Sequence, residues 1–125
     1  MEFFRIIKVK TTESHILNKL NLIDLEMMSN EFFPLDEPTE TKVNIGGIWG
    51  EFTLSRYIIK GGLRFALDEC PNALAWTVTT GYPPDRDAIV VHLTINRQRK
   101  QQEFIDEINI FLDDHSACLM ELFNQ

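Results

Sequence analysis

"ALAWTVTTGYPPDRDAIVVHLTI", Ala73 to Ile95, carries the clearest strand signals in the chain. Its first part alternates Trp76 and Val78 with Thr77 and Thr79, and its last part, "AIVVHLTI", is dominated by β-branched residues. Both read as strands. The connector "GYPPDRD" has the glycine, proline and acid content of a hairpin loop somewhat longer than the tightest turns. An antiparallel sheet follows. Because "AIVV" is apolar on both faces, a helix or a second layer must cover that sheet.

Upstream of the hairpin, "LRFAL" sets Leu63, Phe65 and Leu67 on one strand face, and "DECPN" is a turn shaped by Pro71 and Asn72. "SRYIIKGG" reads as a single helical turn with Ser55 as N-cap and Gly61 as the stop. "KVNIGGIWGEFTL" supplies one or two strands interrupted at Gly46 and Gly47. "FFPLDEPTETK", with Pro34 and Pro38, is an acidic surface loop. Thr12 or Ser14 caps a helix in which Ile16, Leu20, Ile23 and Met27 share a face, although "LNLIDLEM" would also serve as a strand. "FFRIIKVK", with Ile7 and Val9 on one face, opens the chain as a strand.

The last element is a helix marked by Phe104, Ile108, Phe111, Leu119 and Leu122, with Asp113, Asp114 and Ser116 offering a place for it to break in two. "NRQRK" puts Arg97, Arg99 and Lys100 at its start, the unfavourable end for positive charge, unless the helix begins nearer Gln102. The whole reads as one α+β domain over residues 1–125, a mainly antiparallel sheet with an N-terminal and a C-terminal helix packed on it.

With 44% hydrophobic and 25% charged residues, the composition is globular rather than disordered or membrane-embedded. No apolar run approaches the ~20 residues of a membrane span, and "MEFFRIIKVK" lacks the uninterrupted apolar block of a signal peptide. Cys70 and Cys118 are too few for a disulfide framework, so free thiols in the cytoplasm are expected. The net charge of -7 is uneven: residues 21–51 hold seven acids against Lys42, and residues 101–125 hold six acids and no base. Such a surface repels nucleic-acid phosphates and steers a basic partner inward.

No strong catalytic signature is present. A Cys70 nucleophile would need His92 or His115 as base, but Asp68 and Glu69 adjoin the thiol and disfavour the thiolate, so Cys70 is expected to be structural and buried. His115 and Cys118 stand three apart on the final helix, yet a closed metal site needs about four ligands and no companion motif occurs. Neither glycine pair, Gly46-Gly47 or Gly61-Gly62, continues into a phosphate-binding motif. No cofactor, metal or catalytic residue is therefore expected.

The expected function is non-enzymatic: an acidic immunity or inhibitor protein, monomeric or weakly dimeric, that blocks a basic toxin domain, a nuclease for example. Asp36, Glu37, Glu40, Asp85 and Asp87 would face the partner's lysines and arginines, with Tyr82 or Trp49 as an aromatic anchor, although Trp49 serves equally as a core residue. An acidic secretion-type chaperone and a small cysteine-nucleophile enzyme are the alternatives.

Overall fold

The structure, a computed structural model, describes residues 1–96 and 101–124. The chain runs β1 (Glu2–Ile7), α1 (Glu13–Lys19), α2 (Leu25–Met28), β2 (Phe32–Pro34), β3 (Lys42–Gly47), β4 (Phe52–Ile59), β5 (Gly62–Asp68), β6 (Ala75–Thr80), β7 (Ile89–Thr94) and α3 (Gln102–Phe123). One seven-stranded antiparallel sheet has the order β1-β7-β6-β5-β4-β3-β2. Strands β2 to β7 follow one another as neighbours, and β1 closes the far edge against β7. The α+β architecture expected from the sequence is the one observed.

Register fixes which side chains face the helices. Phe65 pairs with Trp76 and Trp76 with Leu93, while Leu63 pairs with Val78 and Val78 with Val91. All six are buried, so these rows form the inner face. Against it lie Ile108, Phe111, Leu112 and Leu119 of α3, with Ile16 of α1 and Leu20 just after it. The helix is tethered from both sides. The Arg5 guanidinium of β1 donates to Asp113 at 3.0 Å and to Asn109 at 2.8 Å. The Asp114 carboxylate accepts from the Ser29 hydroxyl at 2.7 Å, the Asn30 backbone N–H at 2.9 Å and the Asn30 amide at 2.8 Å. Lys19 donates to the Leu122 carbonyl at 3.1 Å, placing positive charge at the helix C-terminus, where the dipole favours it.

Several sequence expectations are corrected. "SRYIIKGG" is not helical: Ser55 to Ile59 belong to β4, Gly61 takes the left-handed turn (φ 91°), and Gly62 opens β5. The Ser55 hydroxyl bonds to Asp68 across the ladder instead of capping a helix. Gly46 and Gly47 do not interrupt a strand but complete β3, which ends at the turn formed by residues 48–51. The need for glycine comes from the entry to β2, since a Cβ at Gly47 would lie 2.2 Å from the carbonyl oxygen of Glu31, the residue before that strand. "FFP" is an edge strand with Phe32 buried, rather than loop. Thr12 does cap α1, accepting from the His15 N–H at 3.1 Å, but the helix stops at Lys19, and a 3-10 turn over Leu22–Asp24 leads into α2. That break shifts the phase: Leu22, Leu25 and Met28 are buried, and Ile23 and Met27 are exposed. The final helix is continuous through Asp113, Asp114 and Ser116, because Asp113 and Asp114 bond to β1 and to the segment after α2. It starts at Gln102, and Arg97, Arg99 and Lys100 lie outside the described residues.

Gly62 marks a close approach of β5 to β6. A Cβ there would stand 2.0 Å from the Val78 carbonyl oxygen, a backbone atom that cannot step aside cheaply. The substitution Gly62→Ala is expected to destabilise the fold by about 1–3 kcal/mol. Urea unfolding of the variant against the parent measures it, and an unchanged midpoint would contradict the close packing.

Candidate functional site

Four aromatic side chains, three from distant parts of the sequence and one from α3 itself, surround Phe111 of α3. Phe32 lies 5.0 Å from it, Trp49 5.3 Å, Trp76 4.9 Å and His115 5.2 Å, ring centre to ring centre. Strand β6 points Trp76 inward, the turn after β3 supplies Trp49, and His115 sits one helical turn beyond Phe111. Phe65 stacks on the other side of Trp76, and Phe104 closes on Trp49. Aromatic rings thus gather around Phe111, while aliphatic side chains such as Leu63, Val78, Val91 and Leu112 line the rest of the space between sheet and helix.

Polar atoms inside this cluster lack partners. Trp49 Nε1, Trp76 Nε1, His115 Nε2 and the neighbouring Ser116 hydroxyl are buried with no hydrogen bond among the described residues. The other imidazole nitrogen, His115 Nδ1, lies 2.6 Å from the Met28 carbonyl. A carbonyl only accepts, so Nδ1 carries the proton and Nε2 of the neutral ring is a bare acceptor. Burial pushes the His115 pKa down to about 4, overriding the Met28 carbonyl and Asp114, which act to raise it. The cluster therefore presents two unspent N–H donors and one unspent acceptor. Native interiors hold few such atoms.

The cluster's cover is the turn Ile48–Glu51, with the β5–β6 turn beside it. Trp49 is half-buried, packed against the core rather than displayed as a surface anchor. In the neighbouring turn Glu69 (φ 62°) and Ala73 (φ 49°) hold left-handed conformations, which cost energy in residues other than glycine. Asn96 holds this turn, its N–H on the Asn72 carbonyl at 2.8 Å and its amide on the Pro71 carbonyl at 2.9 Å. Cys70 lies within the turn as a free thiol, half-buried rather than fully buried, against the core. The histidines proposed as its base are engaged elsewhere: His92 bonds Glu2 at 3.0 Å and stacks on Phe4, and His115 bonds Met28. Cys118 is also free; burial, then the nearby Asp114 and Glu121, raise its pKa. No group of three or more metal-ligating side chains occurs among the described residues. No described helix is long and apolar enough to cross a membrane.

The other end of β4 carries a different feature. A groove of about 550 Å³ is lined by Leu17, Leu22, Ile23, Pro38, Glu40, Arg56 and Ile58, with polar neighbours. The Arg56 guanidinium donates to the Leu17 and Leu20 carbonyls, both at 2.9 Å, and so closes the end of α1. Of the acids proposed for partner binding, Glu40 lines this groove and Glu37 adjoins it in the chain. Asp36 is turned to Asn44, accepting from its N–H at 3.0 Å and its amide at 2.6 Å. Asp85 is paired with Lys8 and accepts from the Asp87 N–H at 3.0 Å. Tyr82 rests on Gly61, where an added Cβ would meet its ring at 2.4 Å. No local signal in the sequence marks Phe111, Trp76 and His115 as a cluster with unpartnered polar atoms, or Ile58 as an exposed side chain.

No protein-family model matches the chain, and no curated protein matches it in sequence. Solved structures do. An uncharacterised protein from Bacillus thuringiensis aligns over 100% of both chains with a TM-score of 0.65 and 9% identity. A protein of the START superfamily from Mycobacterium smegmatis aligns over 100% of this chain and 97% of its own at TM-score 0.61 and 9% identity. The protein XoxI from Bacillus cereus does so over 100% and 95% at TM-score 0.59 and 9% identity. At this identity the likeness concerns the fold alone, and that fold is START-like α+β.

Proposed function

We propose that this chain binds a small, mainly apolar molecule bearing a hydroxyl group, held between the sheet and α3 beneath the Trp49 turn. The observation behind the proposal is the set of three unpartnered ring nitrogens, on Trp49, Trp76 and His115, gathered round one buried phenyl ring. Each buried polar atom left without a partner costs about 1–3 kcal/mol. A hydroxyl accepts from an indole N–H and donates to the bare His115 Nε2, so one group relieves two of the deficits. Of the three rings only Trp49 is carried by a turn, and Gly50 beside it has a positive φ and open space where a Cβ would stand. Swinging Trp49 outward frees a volume the size of a fused bicyclic ring.

Fluorescence titration with 2-naphthol and with naphthalene tests this. Hydrogen bonding to buried orphan atoms is expected to favour 2-naphthol by about tenfold or more. The variant His115→Phe, checked for folding by circular dichroism, should still bind naphthalene while losing the preference. Equal affinity for the two probes in the parent protein, or no binding of either, contradicts the proposal.

A second reading keeps the sequence expectation of a protein partner with a basic surface, an immunity-type inhibitor being one form of it. It is supported by the charge of residues 21–51, seven acids against one base, and by the position of Pro38 and Glu40 from that segment on the apolar groove. A secretion-type chaperone or a thiol enzyme gains no comparable support.

A further inference from the structure

We infer that the groove between β4, α1 and the β2–β3 loop is a protein-docking surface that takes an aliphatic side chain flanked by lysine or arginine. Ile23 and Ile58 are the two most exposed large hydrophobic residues among those described, at 79% and 67%, and both line this one groove. Single exposed aliphatics are ordinary on a protein surface, whereas two converging with Leu17, Leu22 and Pro38 form a patch. Ile58 belongs to the inner face of the sheet, since its register partner Leu63 is fully buried, yet nothing among the described residues covers it. The sheet's apolar inner surface therefore emerges at this end of the molecule.

Charge selects the occupant. Ile23, Pro38 and Glu40 come from the segment that holds seven acids against Lys42. Asp24 and Glu37 adjoin lining residues in the chain and are exposed. Arg56, the cation within the groove, spends its Nε and Nη2 on the Leu17 and Leu20 carbonyls and lies in the field of Glu40. The apolar floor with Glu40, Asp24 and Glu37 along one side, and Lys60 two residues past Ile58 on the other, fits an aliphatic anchor whose lysine or arginine neighbours turn toward the acidic side. This inference rests on the second reading given under the proposed function. It is independent of the proposed ligand site, which lies at the opposite end of β4.

Amide chemical-shift mapping of the full chain with the peptide Lys-Lys-Leu-Leu-Lys-Lys tests it. The largest shifts are expected at Asn18, Asn21, Ile23, Thr39 and Ile58, with a Kd of about 1 mM or tighter that weakens as salt is added. Because Ile58 is exposed, Ile58→Ser should leave the fold intact and weaken the peptide by about tenfold. A peptide with glutamate in place of lysine should not bind, and oligolysine of the same length should bind several times more weakly. Shifts that map to another acidic face overturn the groove while leaving a basic partner in place. Absence of binding by both lysine peptides overturns the groove and the basic-partner reading together. Phosphatidylcholine vesicles that perturb the same amides when the peptide does not would overturn it in favour of a lipid surface. None of these outcomes depends on 2-naphthol, so the two proposals fail separately.

Discussion

Lowering the pH from 6.5 to 4 will remove about 3 kcal/mol of stability through His115 alone. The imidazole is fully buried and neutral, with a folded-state pKa of about 4 against 6.5 for the free side chain. Below 6.5 the unfolded chain takes up a proton that the folded chain refuses, so the unfolded state gains. This contribution is complete above pH 6.5, falls as pH drops, and levels off below about 4. Asp114 acts lower on the scale. Burial works to raise its pKa, but the hydrogen bonds from Ser29 and Asn30 together outweigh burial and hold it below the usual carboxylate range. Its stabilisation is present above the unfolded carboxyl's pKa and is lost as pH falls through the lower folded one. Urea unfolding at a series of pH values measures the His115 part, and His115→Phe should flatten the profile between pH 4 and 6.5. A parent profile already flat across that window would mean that His115 is hydrated or charged in the folded state.

Truncating the ring at the centre of the cluster will have an effect at least as large. Phe111→Ala removes a fully buried phenyl group that touches Phe32, Trp49, Trp76 and His115. The loss of burial and the cavity left behind should cost about 3–5 kcal/mol, lowering Tm by roughly 10–20 °C for a chain of this size. Ile110→Ala, one residue away on the exposed side of α3, should change stability by less than about 0.5 kcal/mol. Calorimetry of the two variants distinguishes them. Similar small shifts in both would show that α3 does not pack on the sheet through Phe111.

The parts of this architecture that follow from local signals were legible in the sequence. The hairpin from Ala75 to Thr94 announces itself through β-branched runs and a proline-rich loop. Thr12 caps α1 by the short-range bond its position implies. What was misread depended on partners distant in sequence. Ser55 and the Gly61-Gly62 pair carry the marks of a helix cap and stop, but ladders to β3 and β5 on either side outweigh them. Gly46 and Gly47 look like a break until Phe33 of the edge strand and Glu31 just before it are placed over them. The exposure of Ile23 arises because the helical face is re-phased after Lys19, which no periodicity count over a single unbroken helix reveals.

The candidate site was less legible for the same reason. Residues 49, 76, 111 and 115 come from a turn, a strand and a helix, and each alone is an ordinary core residue. Their shared property, polar atoms without partners, exists only once the sheet is wound around α3. Charge counting located the acidic segment that borders the groove, yet it could not show that Asp36 is engaged by Asn44 and Asp85 by Lys8.

The ring nitrogens of His115, observed by long-range proton–nitrogen correlation in the free protein and after adding 2-naphthol, report on the proposed site at its polar centre. A protonated Nδ1 and a bare Nε2 are expected at neutral pH, with the Nε2 resonance moved by 2-naphthol and left in place by naphthalene. A protonated Nε2 in the free protein, or an Nε2 resonance indifferent to 2-naphthol at saturating concentration, would contradict it.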